Sequence, residues 1–117
     1  MLDCEKERDE HEERVAKVKE AMPSDEKIIE MGARFKVISE PSRLKILLAL
    51  EQGELCVEHI TDAVNGNQSA VSHQLKILKD NKIIKSRRMG QNMLYSISDW
   101  HILTMIGVAK EHLDCNE

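Results

Sequence analysis

Residues 65–80 read Asn65-Gly66-Asn67-Gln68-Ser69-Ala70-Val71-Ser72-His73-Gln74-Leu75-Lys76-Ile77-Leu78-Lys79-Asp80. Asn-Gly-Asn is a strong turn signal. Beyond it, Val71, Leu75 and Leu78 recur at helical spacing and form one apolar stripe. The opposite face carries Ser69, Ser72, His73, Lys76 and Lys79. The helix begins near Gln68 or Ser69. Before the turn, residues 57–64 suit a short helix. Two helices joined by a tight glycine turn read as a helix-turn-helix.

Downstream, Ile83-Ile84-Lys85-Ser86-Arg87 and Met93-Leu94-Tyr95-Ser96-Ile97 flank Arg88-Met89-Gly90-Gln91-Asn92. This predicts a β-hairpin with a basic, glycine-containing tip. Asp99 or Ser98 then caps a last helix, apolar at Ile102, Leu103, Met105, Ile106, Val108 and Ala109. Upstream, a helix starts near Ser42 and ends at Gly53. Its Leu44, Ile46, Leu47, Leu48 and Leu50 cover two faces, as in a buried core helix. Ser24-Asp25-Glu26, after Pro23, opens another helix that carries Ile28, Ile29, Met31, Phe35 and Ile38. Residues 1–21 are dominated by charge, either as a solvated helix with pairs such as Glu10–Arg14 or as a frayed arm. The expected organisation is a charged arm or helix over 1–23 and a DNA-binding and dimerisation domain over 24–117. The expected fold is mainly α with a small β-hairpin.

A chain of 117 residues is the length of one domain and buries a modest core, so oligomerisation is a plausible source of further burial. Hydrophobic residues make up 41% but aromatic residues only 3%, which suits packed helices better than a β-sandwich. No apolar run approaches the roughly 18 residues of a membrane span, and no signal pattern opens the chain. A soluble, cytoplasmic protein without membrane partners is expected. Cys4, Cys56 and Cys115 are odd in number and far apart, which argues against a disulfide framework. They read as free thiols or metal ligands.

The net charge of −4 hides an asymmetry. Between Asn67 and Ser98, six cations (Lys76, Lys79, Lys82, Lys85, Arg87 and Arg88) face Asp80 alone, a net of +5 that leaves −9 elsewhere. One basic face is implied. A helix-turn-helix followed by a basic hairpin is the layout of a winged helix. Gln68, Ser69, Ser72, His73 and Lys76 would meet base edges and phosphates of double-stranded DNA in the major groove, and Arg87, Arg88 and Gln91 would contact it from the wing.

Glu54-Leu55-Cys56-Val57, then Gln68-Ser69-Ala70-Val71-Ser72-His73-Gln74-Leu75, then Gly90-Gln91 leading to Tyr95 before Asp99, resembles the ArsR/SmtB family of metal-sensing repressors. The resemblance spans roughly residues 28–115. It implies a homodimeric winged helix that represses metal-efflux or metal-resistance genes and is released from its operator by metal. It implies no enzyme activity and no small organic substrate.

Members of that family differ in where their ligands lie. Here Asp99, His101, His112 and Cys115 form Asp-x-His-x10-His-x2-Cys. His101 and His112 share a helix face but stand about 16 Å apart along the axis, against a zinc–nitrogen bond of about 2 Å. One helix does not bring them to one ion. An antiparallel copy does, by facing Asp99 and His101 of one chain with His112 and Cys115 of the other. Symmetry then makes two sites per dimer. The oxygen, two nitrogens and sulfur suit tetrahedral Zn(II), with Co(II) as a substitute and Cd(II) held through the thiolate. The alternative makes Asp99 a helix cap and leaves both histidines in solvent. Where the family's motif in this helix ends in Glu or His, this chain has Cys115.

Some relatives ligate metal at the start of the first motif helix, completed by the partner's N-terminal arm. Cys56 and His59, with Cys4 and His11 of the arm, would form such a second set. Glu58 stands where cadmium- and lead-sensing relatives carry a second cysteine, and Cys56 reads equally well as a small core hydrophobe. Two rival functions share these residues: a thiol- or redox-responsive repressor of the same fold, and a metal-binding protein without DNA regulation.

Overall fold

The computed structural model describes the backbone of residues 4–115 and the side chains of residues 7–115. The chain divides into two compact units, 1–32 and 33–117. In the first, the charge-rich stretch forms helix α1 (Cys4–Ala21), and α2 (Asp25–Ser39) begins. Ser24 starts α2 as expected, its Oγ accepting from the Lys27 N–H at 3.3 Å. Asp25 and Glu26 in the first turn complement the helix dipole. Every described side chain from Glu7 to Gly32 is exposed.

The second unit holds the rest of α2, then α3 (Pro41–Ala49), β1 (Leu55–Cys56), α4 (Val57–Val64), α5 (Gln68–Asp80), β2 (Ile84–Met89), β3 (Asn92–Ile97) and α6 (Trp100–Cys115). Helix α3 begins one residue earlier than Ser42, because Glu40 is its cap. The Glu40 carboxylate accepts from the Arg43 N–H at 3.2 Å and from the Ser42 hydroxyl. Pro41 sits where its missing N–H has no helical partner to lose. The helix also ends before Gly53: the Leu50 N–H closes it on Ile46 and Leu47, and a turn then leads to Gly53 at φ 146°.

The core is aliphatic. Ile46 and Leu47 of α3, with Leu50 at its C-terminal cap, meet Ile60 of α4, Val71, Leu75 and Leu78 of α5, Ile83, Ile84 and Ile97 of the sheet region, and Ile106 of α6. The stripe at Val71, Leu75 and Leu78 is the buried seam of α5, none of the three more than 4% exposed.

The hairpin is part of a three-stranded antiparallel sheet in the order β1-β3-β2. Strand β1 is absent from the sequence reading. Two residues are too few for an alternation, and Leu55 and Cys56 become a strand only by pairing with Tyr95 and Leu94. The hairpin ladder also runs further than expected. Arg88 pairs with Met93 and Met89 with Asn92, so the tip shrinks from five residues to Gly90-Gln91. Gly90 takes φ +64° at the first position of the two-residue turn, where glycine carries no Cβ penalty. Helices α4 and α5 with the β2–β3 hairpin form a winged helix-turn-helix.

Candidate nucleic-acid interface and metal centre

The turn that aims α5 is built from three residues. Asn65 ends α4 in the left-handed region at φ 54°. Gly66 follows so closely packed that a Cβ there would stand 3.2 Å from Val71 Cγ2 and 3.3 Å from Val64 Cγ2. Asn67 caps α5, its Oδ1 accepting from the Ala70 N–H at 2.8 Å. We expect Asn67→Ala to destabilise the protein by about 0.5–2 kcal/mol in urea unfolding, with Asn67→Asp retaining most of that stability. Equal losses in both variants would show that the cap bond is not what matters.

Gln68, Ser69, Ser72, His73 and Lys76 are all exposed on α5, away from its buried seam. Lys76 Nζ lies 3.2 Å from Asp80 Oδ2, one turn on. A residue absent from the sequence reading holds this helix in place. Arg43 of α3 donates from Nε to Gln74 Oε1 at 2.8 Å and from Nη1 to the Val37 carbonyl at 3.2 Å. It thus ties α5 and the end of α2 to α3. The signal was Gln74, a polar side chain on the flank of an apolar stripe, which needs a partner once half-buried.

On the wing, Arg88 and Gln91 are exposed. Arg87 is engaged: its Nε donates to Glu54 Oε2 at 2.9 Å and its Nη2 to the other carboxylate oxygen. These bonds from Arg87, aided by the charge of Lys85, hold the Glu54 carboxyl below its ordinary range. Reciprocally, Arg87 is raised. Glu54 precedes the strand that sequence periodicity missed, so the pairing was not legible.

At the start of α6, Asp99 is the cap. Its Oδ1 accepts from the His101 N–H at 2.9 Å and the Ile102 N–H at 3.3 Å. Ser98 instead donates its hydroxyl to the Lys82 carbonyl. His101 Nδ1 lies 3.3 Å from the same Asp99 oxygen, and the Trp100 ring stacks on the imidazole with centroids 3.8 Å apart. In the single chain Asp99 therefore caps the helix and both histidines are exposed. A carboxylate has acceptor sites to spare beyond two cap bonds. Moreover, two donors each about 2.0–2.1 Å from a tetrahedral ion stand about 3.3 Å apart. His112 and Cys115 are exposed one turn from each other at the far end of α6. Among the described residues, no three His, Cys, Asp or Glu side chains converge within one chain.

Cys56, half-buried, ends β1 and precedes α4 without a side-chain cap bond, and His59 is exposed in the first turn of that helix. His11 is exposed on α1, in the other unit, and the Cys4 side chain lies outside the described residues. Among the described residues, no helix is long and apolar enough to cross a membrane.

Residues 40–86 match the family described as bacterial regulatory protein, arsR family. Over 103 residues the chain is 37% identical to the transcriptional repressor SmtB homolog of Synechocystis sp., covering 88% of this chain and 78% of that one. It superposes with a TM-score of 0.71 on the homodimeric winged helix-turn-helix DNA-binding domain Mb0332 of Mycobacterium bovis (29% identity; 80% of this chain, 90% of that one). The TM-score is again 0.71 on the AntR antimony-specific transcriptional repressor (34% identity; 78% and 83%). Helix-turn-helix, wing and sequence agree, and the chain belongs to the arsR family of bacterial transcriptional regulators.

Proposed function

We propose that the protein is a homodimeric repressor that binds near-palindromic operator DNA and releases it when Zn(II), or Cd(II) or Co(II) in its place, joins the C-terminal helices of two subunits. The observation that carries this reading is the contact at the start of α6. Asp99 and His101 already hold donor atoms at the spacing of two ligands, 3.3 Å, while His112 and Cys115 stand exposed at the other end.

Dimerisation is supported by what one chain leaves uncovered. An apolar groove of about 320 Å³ runs between α2, α3 and α6, lined by Phe35, Ile38, Leu44, Leu48, Met105 and Leu113 among others. Phe35 is 53% exposed and Leu113 74%. A second copy that lays its own α6 antiparallel against this one would cover that surface and complete both ligand sets.

The ion would supply a cross-link of fixed length. Asp99 orients His101 by accepting from its backbone N–H, and Trp100 restricts the imidazole by stacking. His112 and Cys115 project from one face, one turn apart. With α6 of each subunit pinned, the distance between the two α5 helices is set, and metal and DNA oppose each other through that distance, typically by about 1–3 kcal/mol. On the DNA side, Gln68, Ser69, Ser72 and His73 would meet base edges, while Lys76, Arg88 and Gln91 would contact the backbone. The Cys56, His59, Cys4 and His11 set is a second, subsidiary proposal.

Selection from a random duplex library tests the reading. It should return a near-palindrome with half-sites about 34–36 Å apart, and zinc should displace the protein from it. His73→Ala should weaken that binding by roughly 5- to 150-fold, the equivalent of about 1–3 kcal/mol for one base contact. Enrichment of no sequence, or binding that zinc leaves unchanged, would overturn the reading.

A further inference from the structure

The outer face of the wing sheet carries a charge arrangement that DNA contact would have to undo. Lys85 pairs with Ser96 across the hairpin and Arg87 with Leu94. On the far side of β3, Leu55 pairs with Tyr95 and Cys56 with Leu94, so that Glu54 arrives beside the same face. Glu54, Lys85, Ser86, Arg87 and Ser96 line one open recess of about 350 Å³. Within it the Glu54 carboxylate takes the Arg87 guanidinium in a two-pronged pair, with Lys85 as the second cation acting on it.

That geometry is what a guanidinium offers a phosphate: two parallel N–H donors to two oxygens on one anion. The pair is exposed, with side chains 57% and 34% accessible, and exposed pairs contribute little to folding stability. Its larger effect falls on the charge of the wing. A duplex phosphate approaching this face meets an arginine already neutralised and a carboxylate that repels it.

We propose that Glu54 is an internal stand-in for a DNA phosphate: it holds Arg87 in competition with the DNA backbone and so withholds from the wing a phosphate contact that the arginine makes once Glu54 is neutral. This rests on the DNA-binding reading above. It makes Glu54 a determinant of operator affinity and salt dependence without touching a base. Each neutralised phosphate steepens the plot of log affinity against log salt by about 0.9. Over a rise from 50 to 200 mM salt, that is about a 3-fold change in affinity per contact.

The test is a double-mutant cycle on the selected duplex, with binding followed by fluorescence anisotropy from 50 to 400 mM salt. Glu54→Gln should bind roughly 3- to 10-fold more tightly at 50 mM, with a slope steeper by about 0.9. In an Arg87→Gln background, Glu54→Gln should add no such steepening. An unchanged slope in Glu54→Gln, or an equal steepening in both backgrounds, would overturn the proposal, since Glu54 would then act as background charge alone. If no chain, wild type included, bound duplex in a salt-dependent way, the DNA-binding reading would fall and this inference with it. Glu54→Ala repeats the decisive arm with a different side chain, and thermal melts of each variant check that the exposed substitutions leave folding intact.

Discussion

Mixing equal amounts of His101→Ala and His112→Ala chains should restore about a quarter of the zinc capacity of the unmodified protein, although neither variant alone should be released from DNA by zinc. The arithmetic follows from symmetry. In an antiparallel dimer each site takes Asp99 and His101 from one chain and His112 and Cys115 from the other. A dimer of either variant lacks one histidine in both sites. A mixed dimer concentrates both losses in one site and leaves the other whole. Random exchange makes about half the dimers mixed, each with one complete site of two. Loss of an orienting group beyond the ligands already lowers metal affinity about 10- to 100-fold, so loss of a ligand should remove release at ordinary zinc levels. Both variants should still bind the duplex, because His101 and His112 lie on α6 and the residues proposed to contact DNA on α5 and the wing. Cobalt absorption is the readout: a tetrahedral spectrum with a thiolate band, regained on mixing and lost with Cys115→Ser but not with Cys56→Ser. No recovery after subunit exchange, itself verified by native mass spectrometry, would mean that the ligands do not meet across the dimer.

Leu78→Ala should lower stability by about 2–5 kcal/mol, the range for emptying a fully buried leucine site. Leu78 is wholly inaccessible and belongs to the cluster with Leu75, Ile83 and Ile46. For a domain a little over 100 residues, each kcal/mol moves Tm by about 4 °C, so the fall should be on the order of 8–20 °C. Since small domains are stable by only about 5–15 kcal/mol, this one truncation removes a large share of the total. Leu78→Met, which nearly conserves volume, should lose less than about 1.5 kcal/mol. Calorimetry of the two variants checks both numbers. A fall below 5 °C for Leu78→Ala would mean that the core closes around the void.

Much of this was legible in the order of residues. The seam of α5 follows from three aliphatic residues at helical spacing, and the turn before it from Asn65, Gly66 and Asn67. Each is a local preference that the tertiary structure reinforces: Asn67 does cap, Gly66 does occupy a tight place where a Cβ would crowd Val71 and Val64, and Val71, Leu75 and Leu78 are buried. For the proposed metal ligands, helix rise alone separates His101 from His112, so an ion shared by both would need a second chain. One difference is local: α3 starts at Pro41 and not near Ser42, because the Glu40 carboxylate accepts from the Arg43 N–H and caps the helix.

What local sequence determined, then, is the set of helices, the hairpin, the basic segment and the spacing of the candidate ligands, since each depends on contacts within about two turns or across one tight loop. Strand β1 and the ties Arg43–Gln74 and Glu54–Arg87 were decided only by the tertiary structure. Those partners lie 31 and 33 residues apart in the chain. Periodicity carries no information about such pairs, because a two-residue strand or a lone ion pair acquires its partner only after the core has brought distant segments together.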